Sequence, residues 1–405
     1  MLPRFRTGGS VLGRRYALPA RVATLALLFG LVVALLPAQP WWIDVTSWSV
    51  LEAQVPGAAL QPLEWVTRPP RVVEMTYASA LPDNADMLVA DLYMPVGRAT
   101  VPGILLLNGV EPRGRKLPEF VHLADALARA GYAVLAPDIP GLLHERVRPA
   151  DVGSVVASFQ ALTQARGVDG SRAGMIGFSI GASLELLAAA DPRISHQTRF
   201  VADVGGYAKL VDILQAATTH TIPSGDGVVS FHPNPYVWYV GRNTLVGLLP
   251  DPHDQEAIMR LFPDPDAPSD AGGGDVAALS PDGKVLFDLL ENRDPAAVQG
   301  VLSHFSPPIQ ASLDALSPER HAAAIQAQVR ILHDQGDPYI PVQQSRVLAS
   351  LPELKGRVSL LELSVLQHVE LAPPDLNPRE LLGFYVPQMA RLNGYLRDTL
   401  RLLRS

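Results

Sequence analysis

The chain has 405 residues, of which 48% are hydrophobic and 18% are charged, and it contains no cysteine. This composition excludes a disordered or collagen-like chain, and the absence of cysteine excludes a disulfide framework, a Cys-ligated metal site and a thiol nucleophile. The formal net charge is −7, and the 363 residues after position 42 hold 28 basic and 40 acidic groups, so a nucleic-acid partner is not expected.

The first predicted element is an apolar N-terminal segment. Residues 22–38 carry no charge, five arginines and no acidic residue precede them, and the apolar character resumes at residues 41–43. A helix that continues to residue 43 is long enough for a bilayer core of roughly 30 Å. Arginines on one side and paired tryptophans on the other favour a membrane anchor in residues 1–43 with a cytoplasmic tail and an extracytoplasmic domain. The alternatives are a cleaved signal peptide, which would make the protein secreted, and a buried core helix.

Residues 44–70 are predicted to be a linker, because they show little periodicity and end in Arg68-Pro69-Pro70. Strands and helices alternate from residue 71 onward. The predicted strands are residues 72–77, 87–93, 103–107, 132–136, 173–178 and 200–204, and the predicted helices are residues 117–130, 151–165 and 180–190. This alternation predicts an α/β domain, residues 71–405, with a mostly parallel central sheet and helices on both faces.

The alternation stops for about 120 residues, which is too long for a loop in a compact domain. Residues 208–328 are therefore predicted to be a helical cap inserted into the domain. Strands resume at 329–333 and 358–363, with a helix around 342–351 between them. A final amphipathic helix is expected to dock on the core through the residues of its apolar face, which are Met389, Leu392, Leu396, Leu400 and Leu403.

The clearest motif is Gly177-Phe178-Ser179-Ile180-Gly181, a G-x-S-x-G pattern between a predicted strand and a predicted helix. Its glycines allow a tight turn in which the serine has strained φ and ψ angles and its hydroxyl stands clear of the sheet. The N–H of Ile180 then lies at a helix start, where it can stabilise a developing oxyanion. The motif predicts Ser179 as a nucleophile, and the alternative is a plain glycine-rich turn with a serine helix cap.

With this motif in place, residues 72–400 resemble the α/β-hydrolase superfamily, whose catalytic residues follow in the order Ser, acid, His. The resemblance implies Asp337, after the strand at 329–333, as the acid, with Asp334 and then Asp203 as alternatives. It implies His368, after the strand at 358–363, as the general base.

The resemblance also implies a second oxyanion donor, the backbone N–H of Val110. Asn108 stands where the family commonly has histidine, but a backbone donor does not depend on that side chain. Glu111 is an unusual neighbour for an oxyanion, so we expect its carboxylate to be solvated or paired with Arg113 or Arg115.

The resemblance implies two-step acyl transfer through an acyl-enzyme, and it is closest to the dienelactone-hydrolase and prolyl-oligopeptidase branches. Because dienelactone hydrolases use a cysteine nucleophile, the sequence favours a serine hydrolase of carboxylic esters or thioesters, with a bulky or apolar acyl group suggested by the cap. A serine peptidase or an acyltransferase is the enzymatic alternative, and a catalytically inactive binding or scaffold protein is the alternative of another class. No cofactor or metal is predicted, since no histidine pair has helical zinc-site spacing.

Overall fold

The computed structural model describes residues 41–52, 62–79, 87–225, 227–264, 275–372 and 377–404. The strands are β1 (Arg71–Ala78), β2 (Met87–Met94), β3 (Val101–Leu107), β4 (Ala133–Pro137), β5 (Val168–Phe178), β6 (Thr198–Val204), β7 (Thr221–Ser224), β8 (Gly227–Ser230), β9 (Gln328–Asp334), β10 (Val358–Leu363), β11 (Leu366–Gln367) and β12 (Glu370–Leu371).

The α-helices alternate with these strands over most of the chain. They are α1 (Trp41–Glu52), α2 (Pro62–Val66), α3 (Pro118–Ala130), α4 (Pro140–Leu143), α5 (Pro149–Gln164), α6 (Ile180–Ala189), α7 (Leu210–Thr219), α8 (Pro235–Val246), α9 (Pro252–Leu261), α10 (Pro281–Glu291), α11 (Val298–Ser303), α12 (Pro307–Ala315), α13 (Gln343–Ser350), α14 (Pro378–Glu380) and α15 (Val386–Arg401). Short 3₁₀ turns lie at Gly114–Lys116, Val276–Ala278, Pro318–Ala324 and Pro352–Leu354, and a π-helical turn, Leu381–Tyr385, joins α14 to α15.

Eight strands form one sheet in the order β1-β2-β4-β3-β5-β6-β9-β10. The β1–β2 and β2–β4 pairs are antiparallel, and every other neighbouring pair in this sheet is parallel. The mostly parallel sheet predicted from the sequence is therefore confirmed. Because parallel strands all end at one edge, the loops that follow β3, β5, β6 and β9 are gathered at the carboxyl edge of the sheet.

Helices cover both faces of the sheet, as predicted. All seven residues of β3 are buried, and their side chains alternate between two cores. Leu105 and Leu107 pack with residues of α5 and α6 on one face. Ile104 and Leu106 pack with residues of α3 and α15 on the other. This double burial explains why the strand reads as an unbroken apolar run.

The two ends of the described chain pack together on one face of the domain. Leu400 of helix α15, and Leu403 just after it, are buried in the same core as Val50 of helix α1, so the predicted docking of the last helix is confirmed. The start of the predicted linker, by contrast, is part of helix α1, whose Val50 and Leu51 are buried. Burying these apolar side chains stabilises the packed helix over a solvated linker.

The apolar stretch of the predicted membrane anchor, residues 22–38, lies outside the described part of the chain. Within the described ranges, no helix is both long enough and apolar enough to cross a bilayer. The extracytoplasmic location therefore stays a prediction from the sequence.

A long insertion separates β6 from β9. It contains helices α7 to α12, as the predicted helical segment requires, and also the β7–β8 hairpin, which the sequence analysis missed. Leu286 and Leu289 of α10 belong to the same hydrophobic core as Phe159 of α5. The insertion is thus packed onto one face of the sheet rather than held apart as a separate unit.

Candidate active site

Ser179 lies in a sharp turn between β5 and α6. Its φ of 53° and ψ of −133° are strained for a residue with a side chain, as the motif predicted. Its N–H donates a hydrogen bond to the carbonyl oxygen of Val204 in β6, at 2.8 Å, and its carbonyl accepts from the N–H of Ala182, at 3.0 Å. These two bonds hold the turn against the sheet and leave the hydroxyl at the carboxyl edge.

Both glycines of the motif are required by close backbone approach. A methyl group on Gly177 would lie 2.6 Å from Ala182 Cα, and one on Gly181 would lie 2.1 Å from the carbonyl oxygen of Asn108. Both neighbouring atoms belong to the backbone and cannot move aside as a side-chain end could. Lack of space, and not the φ angle of the glycines, therefore excludes larger residues at these two positions.

We expect Gly181→Ala to destabilise the protein by about 3 kcal/mol or more, because the added methyl forces α6 away from the loop after β3. Gly394→Ala in α15 is the matched control, since nothing lies within 4 Å of the added methyl and alanine favours a helix. Urea unfolding of both variants measures the difference. A Gly181→Ala variant as stable as the Gly394→Ala variant would contradict this account of the turn.

The predicted acid and base are in direct contact. Asp337 Oδ2 lies 2.6 Å from His368 Nδ1 and 3.3 Å from Nε2 of His333. Asp337 Oδ1 accepts hydrogen bonds from the N–H groups of Tyr339 and Ile340, at 2.7 and 3.1 Å. Burial alone would raise the pKa of Asp337, but the hydrogen bonds from His333 and His368 outweigh it and hold that pKa well below its usual range. A carboxylate that stays ionised can orient His368 and stabilise its charged form.

The two alternative acids have other partners. Asp334 accepts the N–H of Gly336 through Oδ1 and the N–H of Leu366 through Oδ2, both at 2.8 Å, and so joins the acid loop to β11. Asp203, at the end of β6, accepts the N–H of Gly206 at 2.7 Å. The structure therefore brings Asp337, and not these two carboxylates, to His368.

His333 is buried behind Asp337. Its Nε2 lies 2.8 Å from the carbonyl oxygen of Ile340, and its Nδ1 lies 2.6 Å from Ser345 Oγ. Burial lowers the pKa of His333, but the adjacent Asp337 carboxylate raises that pKa by more than burial lowers it. The net shift is upward. A second imidazole on Asp337 was not foreseen, and only its position four residues earlier could have indicated it.

His368 occupies a tight hairpin turn. Gln367 of β11 pairs with Glu370 of β12, so His368 and Val369 are the two central residues of the turn, and His368 has a φ of 64°. A positive φ is uncommon for histidine and clusters at functional sites. The ring is near β6, because a methyl group on Gly205 would lie 3.5 Å from His368 Cε1.

Ser179 and His368 thus both lie next to the end of β6, Ser179 at Val204 and His368 at Gly205. No hydrogen bond joins Ser179 Oγ to His368 in the described part of the chain. Such contacts are often long in unliganded sites and shorten when substrate binds.

The loop after β3 lies against the nucleophile. A methyl group on Gly109 would lie 2.9 Å from Ser179 Cβ and 3.4 Å from Ser179 Oγ. The N–H groups of Val110, in this loop, and of Ile180, at the start of α6, donate to no acceptor among the described residues. Backbone donors without acceptors, in residues adjacent in the chain to Gly109 and to Ser179, are the kind of group that can bind a tetrahedral oxyanion.

Glu111 is neutralised by its neighbour. Its Oε1 lies 2.9 Å from Arg113 Nε and its Oε2 lies 3.0 Å from Arg113 Nη2. This bidentate pair lowers the pKa of Glu111. Of the two expected partners, Arg113 is the one it contacts, while Arg115 pairs with Glu74, Asp91 and Asp138. A paired carboxylate opposes charge on the oxyanion less than a free one would.

The insertion reaches the acid loop, where it contacts an aromatic residue beside His368. The N–H of Asn234 donates to the carbonyl oxygen of Pro338 at 2.6 Å, and its Nδ2 donates to the hydroxyl of Tyr339 at 3.2 Å. The ring of Tyr339 packs on that of His368 with centroids 4.8 Å apart. These residues are far apart in the chain and belong to no motif, so the sequence analysis missed them.

A second contact joins the insertion to the loop after β4. The carboxylate of Glu145, a residue with a φ of 52°, accepts hydrogen bonds from the hydroxyls of Tyr236 and Tyr239, both at 2.8 Å. Burial and the Glu145 charge raise the pKa of Tyr236. Helix α8 is therefore held to two of the loops at the carboxyl edge of the sheet.

Two carboxyl groups are buried beneath the nucleophile turn without enough partners. Glu185 of α6 is fully buried, and neither of its side-chain oxygens has a hydrogen-bond partner among the described residues. Oδ2 of the buried Asp203 is also unpartnered. Burial, and then the charge of Asp203, raises the pKa of Glu185 well above its usual value, and burial raises the pKa of Asp203 to about 6. Both effects favour the protonated, neutral form of Glu185.

This burial predicts a particular pH dependence for Glu185→Gln. A carboxyl whose folded pKa is raised binds more protons in the folded than in the unfolded state, so wild-type stability falls as the pH rises above about 4. Glutamine cannot ionise, so the variant should gain stability relative to wild type between pH 5 and pH 8. Unfolding free energies at both pH values test this, with the exposed Glu256→Gln as control. Equal pH slopes for wild type and Glu185→Gln would show that Glu185 is not held neutral.

The one group of side chains in the described residues that is spaced for a metal ion lies in the insertion, at Asp251, His253 and Asp254. It is not at the triad, and its buried member has other partners, because Asp254 accepts hydrogen bonds from the N–H and the hydroxyl of Ser280. The carboxylate of Asp251 accepts the N–H of His253 at the start of α9. Helix capping and the Ser280 contact therefore account for these carboxylates.

No family model and no curated protein matches the chain. Among solved structures, the uncomplexed acylaminoacyl peptidase of Pyrococcus horikoshii superposes with a TM-score of 0.50 at 12% sequence identity, covering 84% of this chain and 43% of that chain. A puromycin-hydrolyzing peptidase of Mycobacterium tuberculosis has a TM-score of 0.47 at 16% identity and covers 85% of this chain and 40% of that one. An esterase of Pyrobaculum calidifontis has a TM-score of 0.45 at 14% identity, with 88% and 91% covered. The chain spans less than half the length of the two peptidases, and identities this low concern the fold alone.

Proposed function

We propose that this chain, which has the α/β-hydrolase fold, is a serine hydrolase that cleaves carboxylic ester or thioester bonds. The observation that carries the proposal is the 2.6 Å contact between Asp337 and His368 beside a serine in a strained turn. A buried, ionised acid on a histidine, with a nucleophile and two free backbone donors at the same sheet edge, is the arrangement that acyl transfer requires.

In the proposed mechanism, His368 Nε2 accepts the proton of the Ser179 hydroxyl as the oxygen attacks the carbonyl carbon of the substrate. Asp337 accepts a hydrogen bond from Nδ1–H, which keeps Nε2 free to act as the base and stabilises the imidazolium that forms. The N–H groups of Ile180 and Val110 donate to the oxyanion of the tetrahedral intermediate.

The intermediate then collapses to an acyl-enzyme. His368 returns the proton to the leaving alcohol or thiol as its bond to the acyl carbon breaks. A water molecule attacks the acyl carbon in the second step, giving its proton to His368, and the acid product leaves with the Ser179 hydroxyl restored. Each step uses the same two donors and the same base.

Aromatic residues of the acid loop and of the insertion support a bulky or apolar acyl group. Tyr339 packs on one face of the His368 ring. Tyr236 and Tyr239, which both bond Glu145, form a stacked pair with ring centroids 5.8 Å apart. Apolar and aromatic surfaces beside a few convergent polar groups are typical of small-molecule sites.

The proposal is tested with a fluorophosphonate probe, which modifies an activated serine, followed by a substrate panel. We expect the full-length chain to be labelled stoichiometrically, and then to hydrolyse p-nitrophenyl esters and acyl thioesters faster than peptide p-nitroanilides. Labelling with faster anilide cleavage would favour the peptidase alternative. Folded protein that is not labelled and hydrolyses none of the substrates would favour the inactive binding protein.

A further inference from the structure

A second concavity lies at the opposite edge of the sheet from Ser179. It has a volume of about 340 Å³, and its lining includes Arg98, Thr100, Tyr132, Arg172 and Arg404. Tyr132 directly precedes β4, and Arg172 is in β5. Since Arg172 and Ser179 are seven residues apart on an extended strand, the cavity is roughly 23 Å from the nucleophile. This cavity is therefore separate from the proposed active site.

The charge of this cavity is unbalanced. Arg172 pairs with Asp169, with Arg172 Nε 2.7 Å from Asp169 Oδ2. Arg98 and Arg404 form no ion pair with a carboxylate among the described residues. In a chain with a net charge of −7, three arginines around one cavity with a single acidic partner are a local exception.

The two arginines that form no ion pair with a described carboxylate each contact an ordered part of the fold. The Arg404 guanidinium lies over the ring of Tyr132, 6.0 Å from its centroid, and Tyr132 is 2% exposed. Arg98 lies against Gly131, where a methyl group would be 2.8 Å from Arg98 Nη1. Gly131 has a φ of 108° at the end of α3, a conformation that side chains rarely adopt. A buried ring and the backbone at Gly131 thus lie beside guanidinium groups that belong to exposed residues and are open to a ligand from solvent.

We propose that this cavity binds a phosphomonoester. Two unpaired guanidinium groups match the charge of close to −2 that a phosphomonoester carries at neutral pH, whereas a single carboxylate would leave one cation uncompensated. Guanidinium groups bind phosphate oxygens with paired hydrogen bonds, and the Thr100 hydroxyl adds a polar group at the same cavity. A bound dianion also relieves the repulsion between the arginines.

The phosphomonoester has two sources, a free phosphorylated small molecule or the headgroup of phosphatidic acid in a membrane. The first arm of the test titrates the full-length chain, in zwitterionic detergent at constant ionic strength, with inorganic phosphate by calorimetry. We expect saturable binding that Arg98→Ala and Arg404→Ala each weaken about tenfold or more. Arg260→Ala on α9 is the control, since it removes the same charge from an exposed position outside the cavity.

The second arm places the chain in nanodiscs of phosphatidylcholine, with or without phosphatidic acid, and measures the Tm. A rise in Tm with phosphatidic acid, absent from Arg98→Ala and Arg404→Ala, assigns the site to a lipid headgroup. Binding in the first arm alone assigns it to a free ligand. The proposal is overturned if wild type responds in neither arm, or if all four proteins respond equally. Fluorophosphonate labelling of Ser179 checks folding of the variants and is independent of phosphate binding.

Discussion

Replacing Ser179 with alanine is expected to lower kcat for ester hydrolysis by roughly 10⁴ to 10⁶-fold and to abolish fluorophosphonate labelling. The substitution removes only the hydroxyl. Alanine keeps the backbone bonds of the turn, the N–H to Val204 and the carbonyl to the N–H of Ala182, so the fold and the two oxyanion donors should be retained. In the variant, water attacks the substrate directly, and the two oxyanion donors still stabilise the intermediate. This accounts for the activity that remains.

The control for this variant is Ser303→Ala, at an exposed serine of α11 in the insertion whose hydroxyl bonds only the carbonyl oxygen of Gly300. It should match wild type in labelling and in kcat. Far-UV circular dichroism establishes that both variants are folded. An Ser179→Ala protein that keeps a tenth or more of wild-type kcat would mean that another residue is the nucleophile.

Replacing Asp337 with asparagine is expected to lower kcat by roughly 10³ to 10⁴-fold. An asparagine oxygen can still accept the N–H groups of Tyr339 and Ile340, so the acid loop keeps its shape. The amide nitrogen then faces His368 Nδ1 and donates to it, which leaves the proton on Nε2. A histidine in that tautomer cannot accept the Ser179 proton, and its imidazolium has lost the adjacent negative charge.

Asp334→Asn is the matched control, because this residue is three positions away and as well buried but bonds backbone N–H groups instead of His368. We expect it to lower stability by about 1 to 2 kcal/mol with less than a tenfold effect on kcat. The rate of fluorophosphonate labelling, which needs the same base, should fall in Asp337→Asn only. A larger loss of kcat in Asp334→Asn than in Asp337→Asn would reverse the assignment of the acid.

Local patterns in the chain were enough to predict the elements of the sheet. The strand predicted at 173–178, for example, begins five residues too late, because β5 starts at Val168. The predicted and the observed strand both end at Phe178, the residue before Ser179. The unbroken apolar runs of the central strands and the glycine spacing of the turn depend on neighbouring residues only, so both could be read without a structure. The resemblance to the α/β-hydrolase superfamily is confirmed at the level of the fold.

The N-terminal part of the domain was harder to predict. The sequence of helix α1 shows no helical periodicity of apolar residues, so it does not indicate a helix packed on a core. Its packing against α15 depends on residues about 350 positions further along the chain. The β11–β12 hairpin was missed for a related reason, because its turn is His368-Val369 instead of a glycine or asparagine pair.

The sequence by itself determined the candidate catalytic groups and their order along the chain, namely Ser179 between two glycines, an aspartate after β9 and His368 after β10. The resemblance already favoured Asp337, but its contact with His368 came only from the tertiary structure, as did the hydrogen bonds from backbone N–H groups that engage Asp334 and Asp203. So did the contacts of Tyr339, Glu145 and the arginine cavity. Side chains meet there across loops and strand ends far apart in the chain, and no local pattern encodes which of them will be neighbours.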